Sequence, residues 1–252
     1  MNTTETLSKM KDLRLHGMSR MFEELRSNRM TDALSHEELV GHLIEAEWDD
    51  RHNRKIARLQ ASAGLRYKAS VEEIEYSKGR NIDRNTFITL SRCDWIEKGT
   101  NMLITGATGT GKSYLACALG NHACLNRYKV RYHNCMKLFA QLKYAKADGT
   151  YFKEMKSLQK QDLLILDDFG LKHFDADSRL MFLELLEDRY GRKSTVIASQ
   201  IPVTVWFDII GDKTIADAIC DRFIHNAEKI ELKGGSMRKV KNNSGRNLPP
   251  EK

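Results

Sequence analysis

The chain has 252 residues, of which 41% are apolar, and a formal net charge of +7. This length and apolar content suit one large domain, or one medium domain with a smaller appendage, around an ordinary buried core. No apolar run reaches the roughly 18 residues of a membrane span, and the charged N-terminal residues do not form a secretion signal, so we expect a cytoplasmic protein without a membrane partner.

The N-terminal third carries a helical pattern. Apolar residues recur at three- and four-residue steps over residues 7–25 and again over 39–59. All prolines come after residue 200, so none interrupts these helices. We therefore predict a small helical domain over residues 1–70, followed by a looser linker over 71–98.

A cluster of cations lies near the end of this helical region. No acidic residue occurs between residues 51 and 71. These cations could grip DNA phosphates without reading bases, or they could complement the carboxyl end of a helix that begins with acidic residues. Both interpretations remain open at this point. The cluster consists of Arg51, His52, Arg54, Lys55, Arg58, Arg66 and Lys68.

An apolar run from residue 102 leads directly into a phosphate-binding loop. Gly106, Gly111, Lys112 and Ser113 occupy the four fixed positions of the pattern GxxxxGK[ST]. Glycines let backbone N–H groups point inward around a phosphate, and the helix that follows presents its positive end to the same anion. We predict that Lys112 neutralises the outer phosphates of ATP and that Ser113 binds Mg²⁺. The predicted nucleotide contacts are Gly106, Ala107, Thr108, Gly109, Thr110, Gly111, Lys112, Ser113 and Tyr114.

From residue 100 onward, short apolar runs alternate with helical stretches. This alternation is typical of an α/β fold with a parallel sheet covered on both faces. In such a sheet, ligands bind at the carboxyl ends of the strands, which is where the phosphate-binding loop lies. The predicted strands are near 102–105, 129–133, 163–167 and 195–199, and the predicted helices cover 112–126, 136–145 and 178–190.

Polar residues follow two of these strands. Asp167 and Asp168 come after the apolar run at 163–166, and Ser199 and Gln200 end the next predicted strand. We predict that Asp167 holds the magnesium shell, directly or through water, and that Asp168 orients or deprotonates the attacking water. Ser199 or Gln200 could contact that water or the terminal phosphate, although a simple turn before a proline is the other interpretation.

The net charge is concentrated at the C-terminal end. Residues 229–252 hold seven basic and two acidic side chains, and residues 236–252 form a basic tail. Such a segment either contacts a polyanionic partner or is a solvated end that keeps the protein soluble.

Taken together, these motifs resemble those of the AAA+ ATPases, and within them the IstB-like transposition helper ATPases and the related helicase loaders of the DnaC type. The resemblance covers nearly the whole chain, and only the combination of motifs is specific. It implies an AAA+ core over residues 99–235. Too few residues follow Ser199 for a last strand plus a full helical lid. The matching segments are LRLHGM at 13–18, EAEW at 45–48, the loop at 106–113, LDDFG at 166–170, ASQIP at 198–202 and the stretch 215–222.

The resemblance also implies roles for individual residues. Ser199 or Gln200 matches the first sensor of these ATPases, and Arg222 matches the arginine finger that a neighbouring subunit inserts toward the terminal phosphate. Arg238 occupies the place of the second sensor. Rival finger candidates are Arg189 and Arg192.

The function implied by the resemblance is ATP-dependent help in transposition. Subunits would assemble on duplex DNA as a ring or helical filament, contacting mainly the DNA backbone, and present the DNA to a transposase. A DnaC-like helicase loader is the nearest alternative. Two further hypotheses are a small-molecule kinase, in which Asp167 and Asp168 serve an acceptor hydroxyl, and a scaffold whose assembly ATP gates without hydrolysis.

Overall fold

The computed structural model describes residues 2–28, 30, 33–76 and 78–237. The chain divides into two compact units, Met1–Arg58 and Leu59–Lys252. Among the described residues, none of the helices combines the length and apolar content that a bilayer crossing requires. The helices are α1 (Thr3–Asp12), α2 (His16–Ser27), α3 (His36–Ala63), α4 (Arg84–Ser91), α5 (Asp94–Glu97), α6 (Lys112–Leu125), α7 (Cys135–Ala147), α8 (Tyr151–Gln159), α9 (Ala176–Arg189), α10 (Trp206–Ile210) and α11 (Lys213–Ile224). The strands are β1 (Asn101–Gly106), β2 (Val130–Asn134), β3 (Leu163–Phe169), β4 (Ser194–Ser199) and β5 (Ala227–Leu232).

In the first unit, a buried carboxylate on α3 caps the start of α2. The side chain of Glu47 accepts hydrogen bonds from the backbone N–H groups of Gly17 at 2.8 Å and Met18 at 3.3 Å. These N–H groups have no partner within their own helix, so the carboxylate satisfies them. A Cβ at Gly17 would lie 2.2 Å from the carbonyl oxygen of Ala46, which leaves room only for glycine. The LRLHGM and EAEW segments therefore form one packing contact.

The second unit is built on a parallel sheet with the strand order β2-β3-β4-β1-β5. Strand β4 lies between β1 and β3, so the phosphate-binding loop and the two aspartates come from strands that are not direct neighbours. All strands run in the same direction and present their carboxyl ends at one edge. The sequence-predicted α/β fold with a parallel sheet is therefore confirmed.

Apolar side chains alternate between the two faces of this sheet. Strand β1 directs Met102 and Ile104 into one cluster and Leu103 into the other, as the two-residue period of a strand requires. Helices α4, α5 and α6 contribute to the first cluster, and α7 to α11 contribute to the second. Both faces are thus covered, which places the core on either side of β1, β3 and β4.

The segment over residues 71–98, predicted as a looser linker, packs into the first of these clusters. It contains α4 and α5, and its side chains Val71, Ile74, Phe87 and Trp95 are all buried. The indole N–H of Trp95 donates to the carbonyl oxygen of Leu90 at 3.0 Å. Burial of this apolar surface fixes the segment against α6, so its residues are held in place next to the phosphate-binding loop.

Each of the seven strands and helices predicted from residue 100 onward overlaps an element of the structure, but α8, α10, α11 and β5 were not predicted. Strand β5 lies at the edge of the sheet and mixes polar with apolar residues, so it lacks the continuous apolar run that marks the central strands. Residues 200–237 are used for α10, α11, β5 and the chain that follows it. Within the described ranges no helical lid follows β5.

Candidate nucleotide site

The phosphate-binding loop leaves the carboxyl end of β1 and enters α6 through three glycines with positive φ. Gly106, Gly109 and Gly111 have φ angles of 148°, 85° and 96°, a region that side chains with a Cβ rarely adopt. A Cβ at Gly106 would also lie 2.4 Å from the carbonyl oxygen of Leu232 on β5. Lys112 folds back over the loop and donates to the carbonyl oxygen of Ala107 at 2.9 Å. The loop therefore has the geometry of an anion cradle at a helix N-terminus.

Ser113 and Asp167 meet across the tip of β4. The hydroxyl of Ser113 donates to Oδ1 of Asp167 at 2.9 Å, and the hydroxyl of Tyr132 donates to Oδ2 at 2.6 Å. Asp167 is only 1% exposed, so its charge requires these donors. Burial, followed by the hydrogen bond to Asp167, raises the pKa of Tyr132, which keeps this hydroxyl protonated as a donor.

A local irregularity in β3 sets the orientation of the Asp168 side chain. The register between β3 and β4 shifts between Leu166 and Phe169, and Asp168 has a φ of +57°. Bulges of this kind commonly redirect side chains beside functional sites, where backbone strain is concentrated. Asn134, at the end of β2, donates to Oδ2 of Asp168 at 2.8 Å. The sequence pattern gave no sign of this irregularity.

The opposite wall of the site comes from residues that the sequence patterns did not assign to the nucleotide site. Together with the loop they enclose a cavity of about 570 Å³. Arg80 donates to the carbonyl oxygen of Thr110 at 3.0 Å, and the backbone N–H of Met237 donates to the carbonyl oxygen of Gly109 at 2.9 Å. No motif marks this wall, because packing from distant parts of the chain assembles it. Its members are Arg66, Tyr67, Glu73, Ile74, Glu75, Arg80 and Met237.

The two sensor candidates at the end of β4 differ in their accessibility. Ser199 is fully buried, and its hydroxyl bonds to backbone groups of Phe169 and Ile201. Gln200 lines the cavity, and its side-chain oxygen accepts a hydrogen bond from the hydroxyl of Thr108 at 2.5 Å. The structure therefore brings Gln200, rather than Ser199, to the phosphate-binding loop.

Arg222 lies near the amino-terminal end of β1, whereas the phosphate-binding loop follows the carboxyl end of the same strand. The side chain of Asn101, at the start of β1, donates to the carbonyl oxygen of Arg222 at 3.3 Å, whereas the loop follows the other end of β1. The guanidinium pairs with Glu187 at 2.7 Å and with Asp221 at 2.7 Å. The hydrogen bond to Glu187 raises the pKa of Arg222. Within one chain, Arg222 cannot reach the phosphate site.

The other two candidates for the arginine finger, Arg189 and Arg192, differ in burial. Arg189 is 1% exposed and bonds to Thr195 and to several carbonyl oxygens, so its role is structural. Burial lowers the pKa of Arg189 to about 10, which leaves it charged at neutral pH. Arg192 is exposed. Arg238 and most of the basic tail lie outside the described residues.

Two members of the predicted cation cluster are engaged in ion pairs in the first unit. Arg51 pairs with Glu47 at 2.6 Å, and Arg54 pairs with Asp50 at 2.6 Å. These partners lie on the same helix, four residues earlier. For Arg51 and Arg54, these ion pairs favour a role within the helix over phosphate contact. Because α3 begins at His36, the acidic residues lie inside the helix and not at its start, where the sequence interpretation places them.

The oxygen atoms of Ser113 and Asp167 suit the binding of a nucleotide together with Mg²⁺. Mg²⁺ prefers oxygen ligands and is often held through one or two protein groups together with substrate phosphates. Ser113 and Asp167 supply adjacent oxygen atoms at the mouth of the phosphate-binding loop. No cluster of three or more His, Cys, Asp or Glu side chains suited to a metal occurs among the described residues. Metal binding through Ser113 and Asp167 would therefore depend on the nucleotide.

Comparison with known proteins agrees with this geometry. Residues 8–245 match the family described as IstB-like ATP binding protein. The Sinorhizobium fredii protein y4pL, named as an insertion sequence ATP-binding protein, is 46% identical over 234 residues, covering 93% of this chain and 96% of that protein. The corresponding IS21 protein of Pseudomonas aeruginosa is 28% identical over 226 residues, covering 90% of this chain and 85% of that protein.

Solved structures share the fold of a large part of this chain. The DnaC helicase loader matches with a TM-score of 0.54 at 19% identity, covering 66% of this chain and 98% of that chain. AMPPCP-bound DnaA from Aquifex aeolicus matches with a TM-score of 0.58 at 22% identity, covering 75% of this chain and 58% of that chain. At these identities the likeness concerns the AAA+ fold alone.

Proposed function

This chain belongs to the IstB-like ATP-binding proteins of insertion sequences, and we propose that it is a DNA-binding transposition helper that hydrolyses ATP at subunit interfaces. Family and fold make it an AAA+ ATPase. In the proposed cycle, ATP-bound subunits assemble on duplex DNA and deliver it to a transposase. Hydrolysis then releases the complex.

The proposed chemistry assigns one task to each group of the site. The loop and Lys112 hold the phosphates of ATP. Ser113 and Asp167 hold Mg²⁺, which supplies positive charge at the transferring phosphoryl group when bound. Asp168 orients or deprotonates the attacking water, and Gln200 takes the place of the first sensor.

The placement of Arg222 is the observation that carries the proposal. Strand β1 separates Asn101, which contacts the Arg222 carbonyl, from the phosphate-binding loop by roughly 16 Å, at about 3.3 Å per residue. A finger at that position must act on the site of another subunit. Such a contact is head-to-tail, so it generates a ring if it closes and a helical filament if it does not. The exposed pairs with Glu187 and Asp221 contribute little and can be exchanged for a phosphate.

A mixing experiment tests this assignment. Arg222→Ala keeps an intact site but lacks the finger, whereas Asp168→Asn keeps the finger but lacks the carboxylate. We expect each variant to bind ATP and to be nearly inactive alone. In an equal mixture, random assembly creates complete sites at about a quarter of the interfaces, so turnover returns to about that fraction. Full turnover by Arg222→Ala alone, or a silent mixture of assembled subunits, would refute a finger supplied in trans.

DNA contact is best supported on one exposed face of α8, which we call the α8 face: Phe152, Lys153, Lys156 and the adjacent Lys160. Phe152 is 80% exposed, which is unusual for an aromatic side chain. The three lysines are exposed, and among the described residues they have no ion-pair partner. Unpaired cations beside an exposed aromatic ring suit a phosphate backbone.

The partner is proposed to be a transposase rather than a helicase. The relatives that share 46% and 28% of their residues with this chain are named for insertion sequences, whereas the helicase loader shares only its fold at 19% identity. A pull-down from cells that contain both partners decides between them. Recovery of a replicative helicase without a transposase would favour the loader hypothesis.

A further inference from the structure

Two carboxylates lie next to each other at the end of β3, and one arginine contacts both. Nη1 of Arg66 lies 3.6 Å from Oδ2 of Asp167 and 3.4 Å from Oδ2 of Asp168. Adjacent anions repel each other, and the repulsion is strongest where solvent is excluded. Arg66 therefore supplies positive charge between them.

The donors around Asp168 converge on one of its two oxygen atoms. Oδ2 accepts from Asn134 at 2.8 Å and from Arg66 at 3.4 Å. Within the described part of the chain, Oδ1 accepts no hydrogen bond. The strained φ of +57° at Asp168 fixes the direction in which the side chain leaves the strand. The carboxylate is thus held by one oxygen, and the other is left to accept a hydrogen bond.

Arg66 packs against the ring of Tyr67 and remains accessible to the cavity. It lies over the ring of Tyr67 at 5.4 Å, and the neighbouring hydroxyl of Tyr132 raises the pKa of Arg66. Its side chain is 42% exposed and lines the cavity together with Lys112 and Ser113. A guanidinium in this position bridges the cavity wall to which Ile74 and Arg80 belong and the strand that carries the carboxylates.

We propose that Arg66 is a positioning residue for ATP hydrolysis, acting within the same chain: with Asn134 it holds Oδ2 of Asp168, so that Oδ1 accepts the hydrogen bond of the attacking water. This inference rests on the proposed role of Asp168 and assigns a second arginine to the reaction, distinct from the finger supplied in trans. Because Arg66 is proposed to act on the carboxylate that orients the water, its loss slows the chemical step far more than it weakens nucleotide binding.

The test compares Arg66→Ala and Arg66→Lys with the matched control Arg131→Ala. Arg131 donates to the carbonyl oxygen of Ser62, so it anchors the same stretch of chain without touching either aspartate. The readouts are the dissociation constants of fluorescent ATP and ADP analogues in Mg²⁺ and the single-turnover hydrolysis rate. For Arg66→Ala we expect about a 100-fold slower rate with both constants within about twofold. Arg66→Lys regains part of the rate, and Arg131→Ala hydrolyses ATP like the wild type.

A double variant shows whether Arg66 acts through Asp168. In the Asp168→Asn background, Arg66→Ala is expected to lower the residual rate no further, since the group it positions is already altered. Additive losses would overturn the inference, as would a wild-type rate for Arg66→Ala or a selective loss of ATP affinity. If Asp168→Asn itself hydrolyses ATP normally, the proposed role of Asp168 fails. That outcome is distinct from failure of Arg66 alone.

Discussion

The hydroxyl of Ser113, at the start of α6, lies 2.9 Å from Oδ1 of Asp167 on β3, although β4 separates β3 from β1, the strand that leads into the loop before α6. This contact joins the phosphate-binding loop to the carboxylate pair through the protein's own side chains. The site is therefore largely preorganised, which reduces the cost of placing a metal between these oxygen atoms.

Replacing Ser113 should weaken nucleotide binding only when magnesium is present. We expect Ser113→Ala to lower ATP affinity by about tenfold in Mg²⁺, the scale of one lost charge-assisted contact, and to leave affinity in EDTA unchanged. Titration with a fluorescent ATP analogue under both conditions measures the difference. Equal weakening with and without the metal would contradict a role for Ser113 as a magnesium ligand.

Substitutions of the two residues at the end of β4 should have different effects, one on ATP hydrolysis and the other on stability. Gln200→Ala removes a side chain that contacts Thr108, so we expect slower hydrolysis with an unchanged melting temperature. Ser199→Ala removes a buried hydroxyl bonded to backbone groups, so we expect a loss of about 1 kcal/mol of stability with normal hydrolysis. The opposite pattern in ATPase and denaturation assays would restore Ser199 as the first sensor.

How far the site follows from the sequence depends on the range of the interactions involved. The phosphate-binding loop and the β3 aspartates are marked by local patterns, since glycine spacing and an apolar run determine the local conformation. The wall that includes Ile74 and Arg80 carries no such pattern. It forms because an apolar segment packs against α6, a contact between residues far apart in the chain. The distinction between Ser199 and Gln200 likewise depends on which way each side chain leaves β4.

Arg189 should be required for folding rather than for catalysis. Its guanidinium satisfies carbonyl oxygens of Leu158, Gln161 and Ser194 inside the protein. Arg189→Ala leaves these acceptors buried without a donor, and we expect a loss of roughly 3 kcal/mol in urea denaturation. The matched control Arg192→Ala changes an exposed side chain and should stay within about 0.5 kcal/mol of the wild type. A stable but inactive Arg189→Ala protein would argue for a direct catalytic role.

His133 on β2 should make stability depend on pH in the mildly acidic range. Burial, and secondarily the charge of Arg131, lowers the pKa of His133 to about 4, against about 6.5 for an unperturbed histidine. Between these values the unfolded chain binds a proton that the folded chain does not, so stability falls as pH decreases from about 6.5 to about 4. In His133→Gln we expect the slope of unfolding free energy against pH to decrease by up to about one proton over this range. An unchanged slope would show that His133 is not the group responsible.

Substitutions on the α8 face and substitutions of the α3 cations are expected to affect DNA binding differently. We expect Lys153→Gln with Lys156→Gln to weaken binding to long duplex DNA in the presence of ATP. The slope of log affinity against log salt should become shallower by about 2, because each phosphate contact contributes about 0.9. The control replaces Lys55 and Arg58, two exposed cations of the α3 cluster, with glutamine. Both double variants lose two positive charges, so a difference between them reflects position rather than net charge. If the α3 pair changes the salt slope and the α8 pair does not, the DNA lies against the first unit instead.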